Sequence, residues 1–143
     1  MKAYLNKKLQ RKSRGFTLIE LLVVLAILTL LAGLVGPKVL SQLGGAKAKT
    51  AGVQINDLQK ALDIFKLAVG RYPTSEEGLD ALAKQPGNVR GWNGPYLNGG
   101  VPSDPWNNPY RYASNGGKVE ILSLGSDGAP GGEGEAADVR SAQ

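Results

Sequence analysis

From Phe16 to Gly36 the chain reads FTLIELLVVLAILTLLAGLVG, 21 residues in which Glu20 is the one ionisable side chain. About 20 apolar residues suffice to span a bilayer as a helix, so the segment 16–37 is predicted to be a transmembrane helix. A cleaved secretory signal would have a shorter apolar core and a small-x-small site behind it. Here Pro37 and Lys38 follow the run directly. Beyond them the pattern changes rather than stops. Val39, Leu43, Ala46, Thr50, Val53, Leu58, Leu62, Phe65 and Val69 recur at threes and fours, with one slip near Asp57, and Lys47, Lys49, Gln54, Lys60 and Lys66 lie between them. That spacing predicts an amphipathic continuation of the same helix over 38–70, with one face packed on a folded domain. Gly70 and Pro73 should end it. Pro37 removes a backbone donor just after Gly33 and Gly36, and should kink or loosen the middle of the helix.

Residues 71–143 predict a small domain of different texture. Thr74-Ser75-Glu76-Glu77 has the form of a capping box, with the Thr74 hydroxyl serving the Glu77 amide and the Glu77 carboxylate reaching back. Leu79, Leu82 and Ala83 then suggest a short helix ending near Pro86. From Gly87 the chain is rich in Gly, Pro and Asn. Tyr110–Tyr112 and Val119–Leu122 read as two strands joined by the turn Asn115-Gly116-Gly117. The fold class is therefore α+β: one long N-terminal helix on a small antiparallel sheet with Gly-rich loops.

Charge adds topology. The net charge is +5, yet the first fifteen residues carry Lys2, Lys7, Lys8, Arg11, Lys12 and Arg14 with no acid, which leaves the rest at −1. A basic terminus beside an apolar run is what a cytoplasmic leaflet retains. Nucleic-acid binding would place the positive charge on the folded part among stacking aromatics, so no nucleic-acid partner is expected. The chain has no Cys and no His, which removes disulfides, thiolate chemistry, and the commonest general base and transition-metal ligand. Ser123 and Ser126 have no His to activate them, and no paired carboxylates fall in a plausible apolar cleft. Neither GxGxxG before a helix nor GKS/T occurs. No catalytic residues are assigned.

The junction Arg14-Gly15-Phe16-Thr17-Leu18-Ile19-Glu20 is the sharpest feature. A carboxylate in the apolar layer costs roughly 2.5–3.5 kcal/mol on insertion scales and usually has a partner. Were the chain cut after Gly15, the new Phe16 amine would lie about 6 Å from Glu20 along the helix axis. The pattern G-F-T-L-I-E, behind a basic leader and ahead of an apolar run, resembles the signal of type IV pilins and type II secretion pseudopilins. That resemblance implies a leader, 1–15, removed between Gly15 and Phe16 by a prepilin peptidase, and N-methylation of Phe16. It also implies that Glu20 registers each subunit against its neighbour and that the helix is loosened at Pro37. The alternative for these residues is a plain single-span anchor with Glu20 at headgroup depth.

Tyr72-Pro73-Thr74, Glu77-Gly78-Leu79-x-Ala81-Leu82, Gly94-Pro95-Tyr96-Leu97, Asp104-Pro105-Trp106-x-x-Pro109-Tyr110 and Ser123-Leu124-Gly125-x-Asp127-Gly128 are similar to the major pseudopilins of type II secretion. The resemblance implies a helical homo-oligomeric filament built from the inner membrane, single-pass subunits with a periplasmic C-terminal domain, and contacts with minor pseudopilins and an inner-membrane assembly platform. Such a filament drives folded proteins across the outer membrane. The alternative is a type IV pilin for adhesion, motility or DNA uptake, although those commonly close this region with a disulfide. Trp92, Trp106, Tyr96 and Tyr110 read as core and loop staples with hydrogen-bonded polar tips.

Asp127, Glu133, Glu135 and Asp138 place four carboxylates in twelve residues, set among Gly125, Gly128, Gly131, Gly132 and Gly134. Calcium takes six to eight oxygens from carboxylates and carbonyls, and glycine lets carbonyls turn inward. A solvated acidic tail has the same composition, and composition leaves the two readings level. The family resemblance implies a bound Ca2+, with the Leu124 and Ala129 carbonyls and the Asp127 and Asp138 carboxylates as ligands, and Glu133 and Glu135 as further candidates. The chain departs from the family after Asp138, reading Val139-Arg140 where Gly-Asn-Trp often follows.

Overall fold

The computed structural model describes residues 15–115 and 117–141. The basic leader up to Arg14, and Gly116 of the expected turn, lie outside the described residues. A single α-helix, α1, runs Leu18–Val69 and includes Pro37 without a break in its assignment. It begins two residues later than the apolar run because Thr17 is its cap. It ends where the hydrophobic pattern does: Gly70 adopts φ 89°, and its N–H donates to the Lys66 carbonyl at 2.7 Å.

The chain divides into two units, one ending at Lys38 and the other beginning at Val39. In the first, every large apolar side chain among the described residues is at least half exposed. Among the described residues this is one helix long and apolar enough to cross a membrane. Thr29 lies within it and is satisfied locally, its hydroxyl donating to the Leu25 carbonyl at 2.8 Å, so the run needs no water for that group.

In the second unit α1 supplies Ile55, Leu58, Ala61, Leu62 and Phe65 to a core completed by Leu79, Ala81, Leu82, Tyr110 and Ile121. Burying each large apolar chain contributes about 1.5–3 kcal/mol. Tyr96 stands edge-on to both Phe65 and Trp92, with ring centroids 5.7 Å away in each case. The buried stripe agrees with the expected one at Leu58, Leu62 and Phe65 and departs from it earlier. Gly44, Ala51 and Ile55 face inward, whereas Val39, Leu43 and Val53 are more than half exposed. At Gly44 the reason is steric: Glu135 lies so close that a Cβ there would collide with it. Glycine therefore faces the domain at that point, and the bulky Leu43 beside it turns out.

The box at Thr74–Glu77 forms as its sequence suggests. Glu77 N–H donates to Thr74 Oγ1 at 3.2 Å, and Thr74 N–H donates to Glu77 Oε2 at 2.8 Å. It closes one turn only, because Gly78 at φ 61° redirects the chain, and the expected short helix forms as a 3₁₀ helix over Leu79–Leu82. Two strands follow, β1 (Arg111–Ser114) and β2 (Val119–Ser123), antiparallel with Tyr112 opposite Ile121. A third strand, β3 (Val139–Arg140), pairs antiparallel with Leu122 and Ser123 and was not expected. Two residues carry no alternation to read. The sheet order is β1-β2-β3.

The aromatic staples are tipped as expected at three positions. Trp92 Nε1 donates to the Ala81 carbonyl at 2.9 Å, Tyr110 Oη donates to Gln54 Oε1 at 2.5 Å, and Tyr96 Oη accepts the Asn93 N–H at 2.8 Å. Burial, helped by the Asp104 charge, pushes the Tyr110 hydroxyl up to about 12. Trp106 departs from the pattern: among the described residues its buried Nε1 has no partner.

Candidate functional site

Two places hold the residues that the sequence singles out. At the N-terminus, Gly15 and Phe16 are exposed irregular backbone ahead of α1, with nothing within 4 Å of where a Gly15 Cβ would stand. An unhindered peptide bond of this kind is open to a protease. Glu20 is engaged by the helix's own cap. Its Oε2 accepts the Thr17 N–H at 2.9 Å and the Thr17 hydroxyl at 3.0 Å, while Thr17 Oγ1 accepts the Glu20 N–H at 3.3 Å. This is a second capping box. The signal T-x-x-E was present at 17–20 as plainly as at 74–77, but the apolar run around it drew the reading toward a Phe16 amine, of the same chain or of a neighbour.

The second place is the loop between β2 and β3. Leu124 and Gly125 are buried at its start, and Gly125 takes φ 66° with its Cα against the carbonyls of Glu135 and Ala137. A side chain there would collide with backbone, so the position requires glycine. Ser126 N–H donates to the Glu135 carbonyl at 2.8 Å, which folds the loop back on itself. Asp127 and Ala129 are exposed, and Asp127 Oδ1 accepts the Ala129 N–H at 3.0 Å. Glu133 is exposed and precedes a 3₁₀ turn over Gly134–Ala136. Glu135 lies against Gly44 of α1.

Asp138 differs from the other three acids. Its side chain is only 9% exposed; Oδ2 accepts the Gly131 N–H at 3.1 Å and an Arg140 N–H at 3.3 Å. Its Oδ1 is buried and, among the described residues, has no partner. A carboxylate oxygen left so is costly unless a cation or donor reaches it. No three acids gather as a metal-holding group among the described residues, so the four carboxylates do not form one cluster. Calcium is satisfied by two carboxylates together with carbonyls and water, and the orphaned Asp138 Oδ1 fits such an ion.

A third network escaped the sequence reading. Asp104, almost fully buried, accepts the N–H groups of Trp106 and Asn108 on Oδ1 at 3.0 and 2.8 Å and the Ser123 hydroxyl on Oδ2 at 2.6 Å. Ser123 Oγ accepts the Gly125 N–H at 3.3 Å, and Asn108 Nδ2 donates to the Gly125 carbonyl at 2.9 Å. The segment 104–108 thus holds the first residues of the acidic loop. The available signal was Asp followed at two and four residues by amides it can cap.

A long apolar N-terminal helix whose later half bears a short 3₁₀ helix, a small antiparallel sheet and Gly-rich loops defines a type IV pilin-like protein. The match can be made narrower. Residues 38–142 match the family model of the type II secretion system protein G, and residues 10–36 match the prokaryotic N-terminal methylation motif. The chain is 43% identical over 138 residues to the type II secretion system core protein G of Vibrio cholerae, covering 92% of this chain and 93% of that protein. It is likewise 43% identical over 135 residues to the core protein G of Pseudomonas aeruginosa, covering 91% and 95%. Among solved structures it resembles the major pseudopilin of enterohaemorrhagic Escherichia coli, with a TM-score of 0.58 and 30% identity over 67% of this chain and 86% of that one. The chain belongs to the type II secretion protein G family. The methylation motif and the unburied apolar helix fit a membrane-anchored subunit.

Proposed function

We infer that this chain is the major pseudopilin of a type II secretion system, a structural subunit whose polymerisation from the inner membrane moves folded proteins across the outer membrane. The observation that carries this reading is the apolar half of α1, of which the most apolar stretch is wholly unburied within the chain itself. Lipid covers such a helix before assembly, and neighbouring helices cover it afterwards. Each copy offers the same surface, so the partner is a second copy and the product a helical filament.

In this reading a prepilin peptidase cuts between Gly15 and Phe16, Phe16 is N-methylated, and the domain from Val39 onward is periplasmic. Minor pseudopilins and an inner-membrane platform are the remaining partners. Glu20, freed to meet a new Phe16 amine, registers each incoming subunit, and Pro37 lets the helix adjust. The role is mechanical rather than catalytic. The buried carboxylate of Asp104, which might otherwise suggest an acid or base, is saturated by three donors.

The loop is read as a structural calcium site. The Leu124 and Ala129 carbonyls and the Asp127 and Asp138 carboxylates would hold the ion, which would supply the positive partner that Asp138 Oδ1 lacks among the described residues. Glu135 is committed to the helix at Gly44.

The test is a strain lacking the gene. Secreted hydrolases should accumulate in the periplasm while surface pili persist, and intact mass should show a mature chain beginning at N-methyl-Phe16. Intact secretion with lost pili or twitching would establish a type IV pilin instead.

A further inference from the structure

Beside the acidic loop, on β3, a cation is already present, and it belongs to the chain. Arg140 pairs with Leu122 across β2 and β3, which puts its side chain on the same face of the sheet as Glu120, two residues away on β2. One guanidinium nitrogen, Nη2, donates to Asp138 Oδ2 at 3.3 Å, and the other, Nη1, reaches Glu120 Oε1 at 3.5 Å. Asp138 is 9% exposed and Arg140 60% exposed, so the acid is enclosed while the base comes to it from the solvent side. Asp138 therefore has one oxygen shared between a backbone amide and a guanidinium, and one buried oxygen without a donor among the described residues.

We propose that Arg140 is an affinity-setting residue of this loop, a resident cation that opposes calcium at Asp138 and keeps the site weak. The inference rests on the calcium reading given above. Its physical basis is that a divalent ion on Asp138 is repelled by a guanidinium on the same carboxylate, and the carboxylate's charge is divided between them. Glu120 gives the displaced guanidinium an alternative partner, so the arginine lowers affinity without abolishing binding. Because Arg140 is largely solvated, screening limits the effect to roughly three- to tenfold.

The test uses the full-length protein in detergent, titrated with calcium chloride by calorimetry and melted in calcium and in chelator with Trp fluorescence as the signal. Arg140→Gln is compared with wild type and with Lys118→Gln, which removes the same charge at the opposite end of the β1–β2 ladder. Arg140→Gln should bind calcium roughly three- to tenfold more tightly and show a larger calcium-induced rise in Tm, with Lys118→Gln close to wild type. Binding seen in Arg140→Gln but undetectable in wild type would support the proposal in its strongest form. Equal or weaker binding by Arg140→Gln, beside a wild type that does bind, would overturn the role of Arg140 and leave the calcium site standing. No calcium response in any of the three proteins would overturn the calcium reading itself.

Discussion

The Arg71 guanidinium grips the Glu77 carboxylate with both of its terminal nitrogens, Nη1 on Oε2 at 2.7 Å and Nη2 on Oε1 at 2.8 Å. The same carboxylate caps Thr74. One side chain thus closes the turn that follows α1 and ties it to the end of that helix. Arg71, ahead of the capping contact, holds the Glu77 carboxyl down at about 2.

The sign of the pH effect follows. Glu77 is more acidic folded than unfolded, so its stabilisation is complete above its ordinary value of 4.5 and is lost as pH falls from there through about 2. Arg71 remains 42% exposed, and screening reduces the contribution to about 1–2 kcal/mol. Glu77→Gln should therefore melt below wild type at pH 7, and the gap should close between pH 4.5 and 2. A constant gap across that window in calorimetric or circular-dichroism melts would show that the ion pair does not carry it.

Glu20 has two candidate jobs that one pair of variants separates. As a cap it contributes about 1 kcal/mol to the helix start, and Gln at that position can do the same. As the partner of a neighbour's Phe16 amine it needs its charge. Glu20→Gln should insert and be cleaved yet yield few sheared filaments, while Thr17→Ala, which loses the cap and keeps the charge, should assemble nearly normally. The reverse pattern would make Glu20 a helix cap and nothing more.

How far the sequence was readable depends on how local each cause is. The end of α1 at Val69 was legible because Gly70 sits directly behind the last apolar position. The capping box at Thr74 was legible for the same reason. The early stripe was not: what selects Gly44 is a loop some ninety residues further on, bringing Glu135 onto the helix. β3 exists only because Leu122 and Ser123 offer it a free edge. Asp138 was named for its chemistry, but its separation from Asp127 and Glu133 by burial, and its contact with Arg140, are properties of the folded loop.

Asp104 is the position where a single change should cost most. Removing its carboxylate leaves the Trp106 and Asn108 amides and the buried Ser123 hydroxyl without an acceptor, at about 1–3 kcal/mol for each such group that stays unsatisfied. Asp104→Ala should lower Tm by about 10 °C or more, taking roughly 4–8 °C per kcal/mol for a domain of this size. The exposed Asp80→Ala should stay within about 0.5 kcal/mol of wild type. A thermal shift at Asp104 no larger than that at Asp80 would mean water replaces the carboxylate.

The calcium reading makes a prediction at Asp138 that an ordinary structural carboxylate does not. A ligand bound only by the folded state stabilises it by about 2.7 kcal/mol at a hundredfold excess over Kd, so the full-length protein should melt higher in calcium chloride than in chelator. Asp138→Asn and Asp127→Ala should each abolish that difference. In chelator, however, Asp138→Asn should cost little: a buried charged Oδ1 without a partner is unfavourable, an amide oxygen can still accept the Gly131 N–H, and the Arg140 contact that is lost is largely solvated. A carboxylate that served only Gly131 and Arg140 would behave the other way, its loss lowering Tm equally in both media. Melting curves of the three proteins, with and without calcium, distinguish the two: coincident wild-type curves would leave a solvated acidic loop, and equal losses in both media would make Asp138 a strap for β3.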